Sequence, residues 1–254
     1  MSLFKTILNI VPRPFLIKAS LYLKPLLAVY YKGNKYTDPI DNKSYRKFLP
    51  YGYENQRDNV LAPGTLSLER HRLLWLYLKQ TPDFFSKPIK VLHVAPEQCF
   101  VKLFRKQTNL DYTTTDLYSP LADVKADICN LPFKDNTYDV VFCNHVLEHI
   151  ENDALAMSEL YRVLKPGGWG IFQIPQDITR DITYEDFNIT NPEDRRVHFG
   201  QYDHVRVYGL DYFDRLKNQG FKVKQFKVVE NFSSQEIEDY ALMENEILPI
   251  CVKS

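Results

Sequence analysis

The sequence predicts an α/β fold organised on a parallel sheet that is buried on both faces. Two observations carry this. Short apolar or β-branched runs recur at residues 90–97, 110–116, 126–133, 138–145 and 164–175, and segments of helical periodicity separate them. Runs that are apolar without alternation belong to strands covered on both sides, and strands alternating with helices are parallel. A third observation points at the site. Ligands of open parallel sheets bind beyond the carboxyl ends of the strands. The residues that end these runs are Ala95, Pro96 and Glu97, then Asp116, Asp127, Asn144 and His145.

Composition bounds the function. A chain of 254 residues holds one large α/β domain, or a domain with an appendage. Its 32 basic and 32 acidic residues cancel, so no overall charge draws it to a polyanion and no nucleic-acid partner is expected. Cys99, Cys129, Cys143 and Cys251 show no C-x-x-C spacing. They read as reduced thiols of a cytoplasmic protein.

Residues 1–37 carry Lys5, Arg13, Lys18, Lys24, Lys32 and Lys35 and no acid. Charges break each apolar run well short of the ~20 residues that a membrane span needs. No signal-peptide core is present. Two readings fit. One is a pair of short helices packed on the rest of the chain and broken at Pro12, Pro14 and Pro25. The other is a basic amphipathic segment in peripheral contact with the inner face of an anionic membrane. Residues 1–64 are accordingly expected to form a helical and loop extension packed on the core, and residues 65–254 the main domain.

Residues 36–72 place Asp38, Asp41, Ala62 and Thr65 at two x-x spacings. This stretch resembles the front end of a bacterial methyltransferase group in which two C-x-x-C knuckles precede the catalytic domain. The spacing is kept and every thiolate is gone. Ala62 ligates nothing, and two aspartates make no tetrahedral zinc site. The loop must then be held by packing and hydrogen bonds, with Pro39, Phe48, Pro50 and Tyr51 as anchors. Leu66, Leu73, Leu74 and Tyr77 then predict a helix over residues 65–80 with Thr65 as N-cap. Its Arg70-His71-Arg72 run reads either as a solvated face or as a guanidinium grip on a carboxylate, which makes Arg70 a substrate-binding candidate.

Strand one ends in His93-Val94-Ala95-Pro96-Glu97. No glycine occurs between Gly64 and Gly167, so the G-x-G-x-x-G fingerprint is absent. Ala95 is the nearest substitute for glycine in bulk. Asp116, at the end of strand two and 116 − 93 = 23 residues past His93, is placed for the hydroxyls of a ribose, with Leu117 beside it. Asp127 suits an exocyclic amine, with Ile128 against the ring.

The run Ala126-Asp127-Ile128-Cys129-Asn130-Leu131-Pro132-Phe133, with Tyr138-Asp139-Val140-Val141, Leu147-Glu148-His149 and Leu164-Lys165-Pro166-Gly167-Gly168, resembles the class I S-adenosylmethionine-dependent methyltransferases over about residues 91–220. The resemblance implies a Rossmann-like, seven-stranded, mostly parallel sheet with helices on both faces and an antiparallel last strand. It implies S-adenosyl-L-methionine as cofactor, held by His93, Val94, Ala95, Pro96, Glu97, Asp116, Leu117, Asp127, Ile128, Asn144 and His145. In this chain His93 and Ala95 stand in the family's acidic, glycine-rich first motif, and Glu97 is the carboxylate near enough to replace the missing one.

His145-Val146-Leu147-Glu148-His149 also matches H-x-x-E-H, an inverted-zincin pattern. Helical spacing would bring His145, Glu148 and His149 together. Directly after a buried strand, the favoured reading is helix capping and pocket lining, with no metal.

Residues 176–208 form a long polar segment that reads as a lid or substrate loop. His204 is the leading general-base candidate and His145 the second catalytic candidate, with Tyr202 and Arg206 on the acceptor. The expected function is methyl transfer to a small molecule or to a cell-envelope saccharide or lipid precursor. The rivals are a non-catalytic binding protein of the same fold, and a zinc hydrolase built on His145, Glu148 and His149.

Overall fold

The computed structural model describes residues 23–52, 56–120 and 122–254. The chain divides into two compact units, Met1–Gln80 with Phe232–Glu244 and Thr81–Asn231 with Asn245–Ser254. No helix among the described residues is long and apolar enough to cross a membrane.

The larger unit holds a seven-stranded sheet. Its strands are β1 (Ile89–Val94), β2 (Leu110–Asp116), β3 (Val124–Lys125), β4 (Tyr138–Cys143), β5 (Leu164–Ile171), β6 (Phe221–Lys227) and β7 (Ile247–Lys253). They lie in the order β6-β7-β5-β4-β1-β2-β3. β7 runs antiparallel to both β5 and β6, and the pairs among β1 to β5 are parallel. Val91 to Val94 and Val140 to Cys143 are buried without alternation, so both faces are covered. Leu92, Val94, Val141 and Cys143 join a core with Met157, Leu160, Phe172, Tyr212 and Leu216. Their strand neighbours His93 and Phe142 point the other way, into rings from Phe84, Phe104 and Tyr112. The helices of this unit include α1 (Gln98–Phe104), α2 (Asp153–Val163), α3 (Pro192–Phe199) and α4 (Tyr212–Asn218). α2 starts where the Asn152 side chain accepts from the Leu155 N–H at 3.0 Å.

In the smaller unit, the segment read as helix and loop contains two β-hairpins. Lys32–Asp38 pairs with Lys43–Tyr45, and Leu49–Tyr51 pairs with Arg57–Leu61. Aromatic residues Tyr36, Tyr45 and Phe48 pack together there and favour strand over helix. Residues 1–22, on which the two readings of the basic segment chiefly rest, lie outside the described residues. The knuckle loop is held by hydrogen bonds. The Asp38 carboxylate accepts from the Thr65 hydroxyl, from Ser67 Oγ at 3.1 Å and from the Ile40 N–H at 3.0 Å. Asp41 accepts from the Tyr45 hydroxyl at 3.1 Å.

Thr65 is thereby used in the loop, and the helix begins later than expected, at Glu69–Lys79. Arg72 grips backbone carbonyls. It is fully buried and donates to the carbonyls of Val60, Ser67, Tyr240 and Ala241 at 2.6–3.0 Å. These bonds tie the Phe232–Glu244 segment to this unit. The compact units divide at residues 80/81, with a return excursion, where the sequence reading sets the boundary at 64/65. Ser234–Asp239 in that excursion is a helix with a Ser233/Glu236 capping box.

Candidate functional site

Strand register builds the site. Val94 pairs with Thr115 on one side and Cys143 on the other, and Phe142 pairs with Ile171. The next residues along, Asp116, Ala95, Asn144 and Gln173, therefore form one line at the carboxyl ends of β2, β1, β4 and β5.

The chain turns sharply at two of these positions. Ala95 has φ 49° and His145 has φ 53°, left-handed conformations that ordinarily favour glycine. Ala95 is secured by its N–H to the Thr115 carbonyl at 2.8 Å, and His145 by its N–H to the Gln173 carbonyl at 2.7 Å. Strained backbone of this kind collects at binding sites. Ala95 thus takes up the turn that a glycine would make.

Glu97 spans the line. One carboxylate oxygen is hydrogen-bonded to buried His93 Nε2, and the other accepts from Asn144 Nδ2 at 3.0 Å. His93 Nδ1 bonds the Tyr112 hydroxyl at 2.8 Å, and Asn144 Oδ1 accepts from the Gln173 N–H at 3.3 Å. Glu97 thus places a carboxylate at the end of β1, fixed by His93 and Asn144. Asp116 is half-buried. Its Oδ1 accepts from the N–H groups of Tyr118 at 2.7 Å and Ser119 at 2.6 Å. Its Oδ2 has no protein partner among the described residues. That is the arrangement a ribose-binding carboxylate needs, with one oxygen fixed and the other presented. The expected cofactor fits these residues. Leu117 is exposed beside Asp116. Asp127 is exposed and turns its own loop by accepting from the Cys129 N–H at 2.8 Å.

Two expectations are corrected. Ile128 is 5% exposed and packs in the main core, so its side chain offers no open face to a ring. Arg206 is 1% exposed and is not available to an acceptor. Its guanidinium donates to Glu185 at 2.8 Å and to the carbonyls of Leu147, Ile150 and Glu151 at 2.5–3.0 Å. Tyr202 is exposed on the same excursion, and Arg70 is half-buried in the smaller unit.

The excursion is built rather than open. Tyr184–Glu185 pairs with Arg206–Val207, α3 lies between them, and Gln176 bridges to Tyr208. The Val205 N–H donates to the Glu148 carbonyl at 2.9 Å. Together with Arg206 this fastens the excursion to the turn after β4 and sets His204 against that turn.

Leu147–His149 forms a 3₁₀ turn, not an α-helix, and His145 precedes it in a left-handed conformation. The same-face argument for His145, Glu148 and His149 therefore fails. His145 Nδ1 lies 3.3 Å from Glu148 Oε1. His204 stands edge-on to His149, with ring centroids 4.8 Å apart. One side-chain donor atom each from Glu148, His149 and His204 lie within 4.8 Å of one another. Burial alone would raise the Glu148 carboxyl, but the hydrogen bond and charge of His145, with the charge of His149, outweigh it and hold it below its ordinary value. Burial pushes the His204 imidazole below its ordinary value, against the opposing pull of Glu148. No spacing rule joins residue 204 to residues 148 and 149. The signal sequence reasoning lacked was Arg206, whose fork needs carbonyls that a strand-end turn exposes.

Comparison with known proteins agrees with this geometry. A family model described as a methyltransferase domain matches residues 79–172. A protein of Methanocaldococcus jannaschii, named only as uncharacterized, is 41% identical over 66 residues, covering 25% of this chain and 29% of that protein. A demethylmenaquinone methyltransferase of Streptomyces avermitilis is 50% identical over 42 residues, 16% of this chain and 18% of its own length. The chain thus spans less than a third of the length of these curated relatives. The solved structure of the [4+2]-cyclase SpnF shares the fold, with a TM-score of 0.51 and 15% identity over 74% of this chain and 84% of that one.

Proposed function

We propose that this protein, which matches the model of a methyltransferase domain over residues 79–172, is a class I S-adenosylmethionine-dependent enzyme that transfers a methyl group to a small-molecule acceptor. The observation that supports this best is the line Asp116, Ala95, Asn144 at the carboxyl ends of three adjacent strands. When bound, S-adenosylmethionine supplies an electrophilic methyl on a sulfonium. The protein's task is then alignment and exclusion of water.

In this reading Asp116 holds the ribose hydroxyls through Oδ2. The Ala95 turn lets the backbone approach the cofactor. Glu97, fixed by His93 and Asn144, faces the amino-acid end. Asp127 takes the adenine amine. On the acceptor side stand His145, His149 and His204, with Tyr202 exposed beyond them. If the acceptor atom is oxygen, its proton leaves at this cluster as the methyl arrives.

The finer reading of the acceptor is a cell-envelope saccharide or lipid precursor. It is supported by the six basic residues and absence of acid in residues 1–37, which suit contact with an anionic lipid surface. Cosedimentation with anionic vesicles that disappears at high salt tests that contact. The function itself is tested with a labelled methyl donor and an untargeted set of small-molecule acceptors. A labelled product made by the wild type and lost in Asp116→Ala is expected. Cofactor binding without transfer to any acceptor would favour a binding protein of the same fold.

A further inference from the structure

We propose that Glu148, His149 and His204 form a subsite for a primary ammonium group, so that the acceptor is an amine-bearing molecule anchored here by its charged nitrogen. The proposal rests on the methyl-transfer reading in calling that molecule the acceptor, while the subsite itself takes an ammonium with or without cofactor.

The first argument is size. Glu148 and His149 belong to the turn after β4, and His204 comes from the excursion, 204 − 149 = 55 residues on. A side-chain oxygen or nitrogen from each lies within 4.8 Å of the other two. A primary ammonium has three N–H donors in tetrahedral directions and no lone pair. Charge-assisted bonds of ~2.7–2.9 Å along those directions end on acceptors ~4.4–4.7 Å apart. One ammonium nitrogen is therefore of the size to span the cluster.

The second argument is that each group there accepts. His149 Nδ1 lies 3.2 Å from the Asp203 carbonyl, and His204 Nδ1 lies 3.2 Å from the Phe199 carbonyl. A carbonyl oxygen only accepts, so in both rings Nδ1 carries the proton and Nε2 the lone pair. Burial holds the His204 imidazole below its ordinary value, which keeps that lone pair free at neutral pH. Burial alone would raise the Glu148 carboxyl, but His145 and His149 outweigh it, so the carboxylate is ionised. The Asp203 carboxylate, 3.5 Å from His149 Nδ1, adds a second negative charge beside the cluster. This set suits a cation that donates hydrogen bonds.

The third argument comes from Glu148. Its side chain is 1% exposed, and its Oε2 is buried with no hydrogen-bond partner among the described residues. Leaving a buried carboxylate oxygen unmatched is costly. An ammonium N–H satisfies it and brings the opposite charge. The His149 side chain is 29% exposed, which gives the ligand its approach.

One consequence concerns the reaction. With its three hydrogens on Glu148, His149 and His204 and its fourth direction taken by carbon, the nitrogen has no lone pair to offer a sulfonium methyl. It is an anchor, and the methyl goes to another atom of the acceptor. His204 then binds the acceptor, which replaces the general-base role expected from the sequence. His145, whose Nδ1 lies 3.3 Å from Glu148 Oε1, is left to receive the proton of an acceptor hydroxyl.

The test follows the histidine ring signals of the full chain by NMR, without cofactor, as methylammonium chloride is added. Tetramethylammonium chloride, with the same charge and no N–H, is the control. Saturable shifts of the His149 and His204 signals are expected with methylammonium alone. Glu148→Gln, shown to be folded by thermal unfolding, should raise the methylammonium midpoint at least ~10-fold, the loss of hydrogen bonds to a charged group. If that variant is unfolded, the contrast between the two ammonium salts on the wild type decides. Unmoved ring signals, equal shifts with both salts, or an unchanged midpoint in the folded variant would overturn the proposal. A second arm supplies labelled methyl donor and acceptors in pairs that differ by one amine for one hydroxyl. Product is expected from the amine member, since a site built for its N–H groups rejects the counterpart, with the label on an atom other than that nitrogen. Equal transfer to the hydroxyl member, or label on the anchoring nitrogen, would contradict the assignment. Methylammonium binding with no transfer to any pair would sink the methyl-transfer reading and leave the subsite standing, so the two failures are told apart.

Discussion

His204 stands edge-on to His149, at 80° between ring planes, and Arg206 two residues further on keeps it there. The guanidinium of Arg206 holds the carbonyls of Leu147, Ile150 and Glu151, which flank His149 in the turn after β4. Arg206, expected to touch the acceptor, is instead buried against these carbonyls and positions the turn. Arg206→Lys keeps the charge but cannot span those carbonyls. Stability should fall by about 1–3 kcal/mol, the cost of buried groups left unpaired, as read by urea unfolding. A change within ~0.5 kcal/mol would show that the clamp is dispensable.

The same clamp gives a pH dependence. Glu185 binds Arg206 and Arg215, each at 2.8 Å. Burial alone would raise its carboxyl, but Arg215 and Arg206 outweigh burial and hold it below its ordinary value. Since the folded value lies below the unfolded one, the stabilisation is fully present above the ordinary carboxylate pKa of 4.5. It is lost as pH falls through the folded value. Glu185→Gln should therefore unfold more readily than wild type at neutral pH, with the gap narrowing in acid. A gap that is constant across the titration would contradict this.

Ala95 replaces a glycine in a left-handed turn at a cost of ~1–2 kcal/mol. Ala95→Gly removes that strain while adding ~0.4–1 kcal/mol of unfolded-state entropy. The variant should be as stable as wild type or more stable by up to ~1.6 kcal/mol, with cofactor affinity kept. A clear loss of stability in urea unfolding would show that the alanine methyl is needed for packing.

Much of this was legible in the sequence. Strands β1 and β4 appear as apolar runs because burial on both faces removes polar residues from them. The strand ends name Ala95, Glu97, Asp116 and Asn144 because topology places ligands there. Three features were not legible. Arg72 and Arg206 look like surface charges, yet each is buried against backbone carbonyls, which carry no side-chain signature. The return of residues 232–244 to the smaller unit depends on such carbonyl contacts from Arg72. At the knuckle, a hydrogen bond joins Asp38 and Thr65, two of the positions that keep the knuckle spacing.

The central claim is that the ends of β1, β2 and β4 hold S-adenosylmethionine, with Asp116 on the ribose. Calorimetric titration of the protein with S-adenosylhomocysteine, the demethylated product, tests it most directly. The wild type should bind at one site per chain, and Asp116→Ala should bind more weakly by about 1.5–3 kcal/mol, the loss of hydrogen bonds to a charged group. That corresponds to roughly 10- to 150-fold in Kd. Absence of binding by the folded wild type, or equal affinity in the variant, would contradict the account.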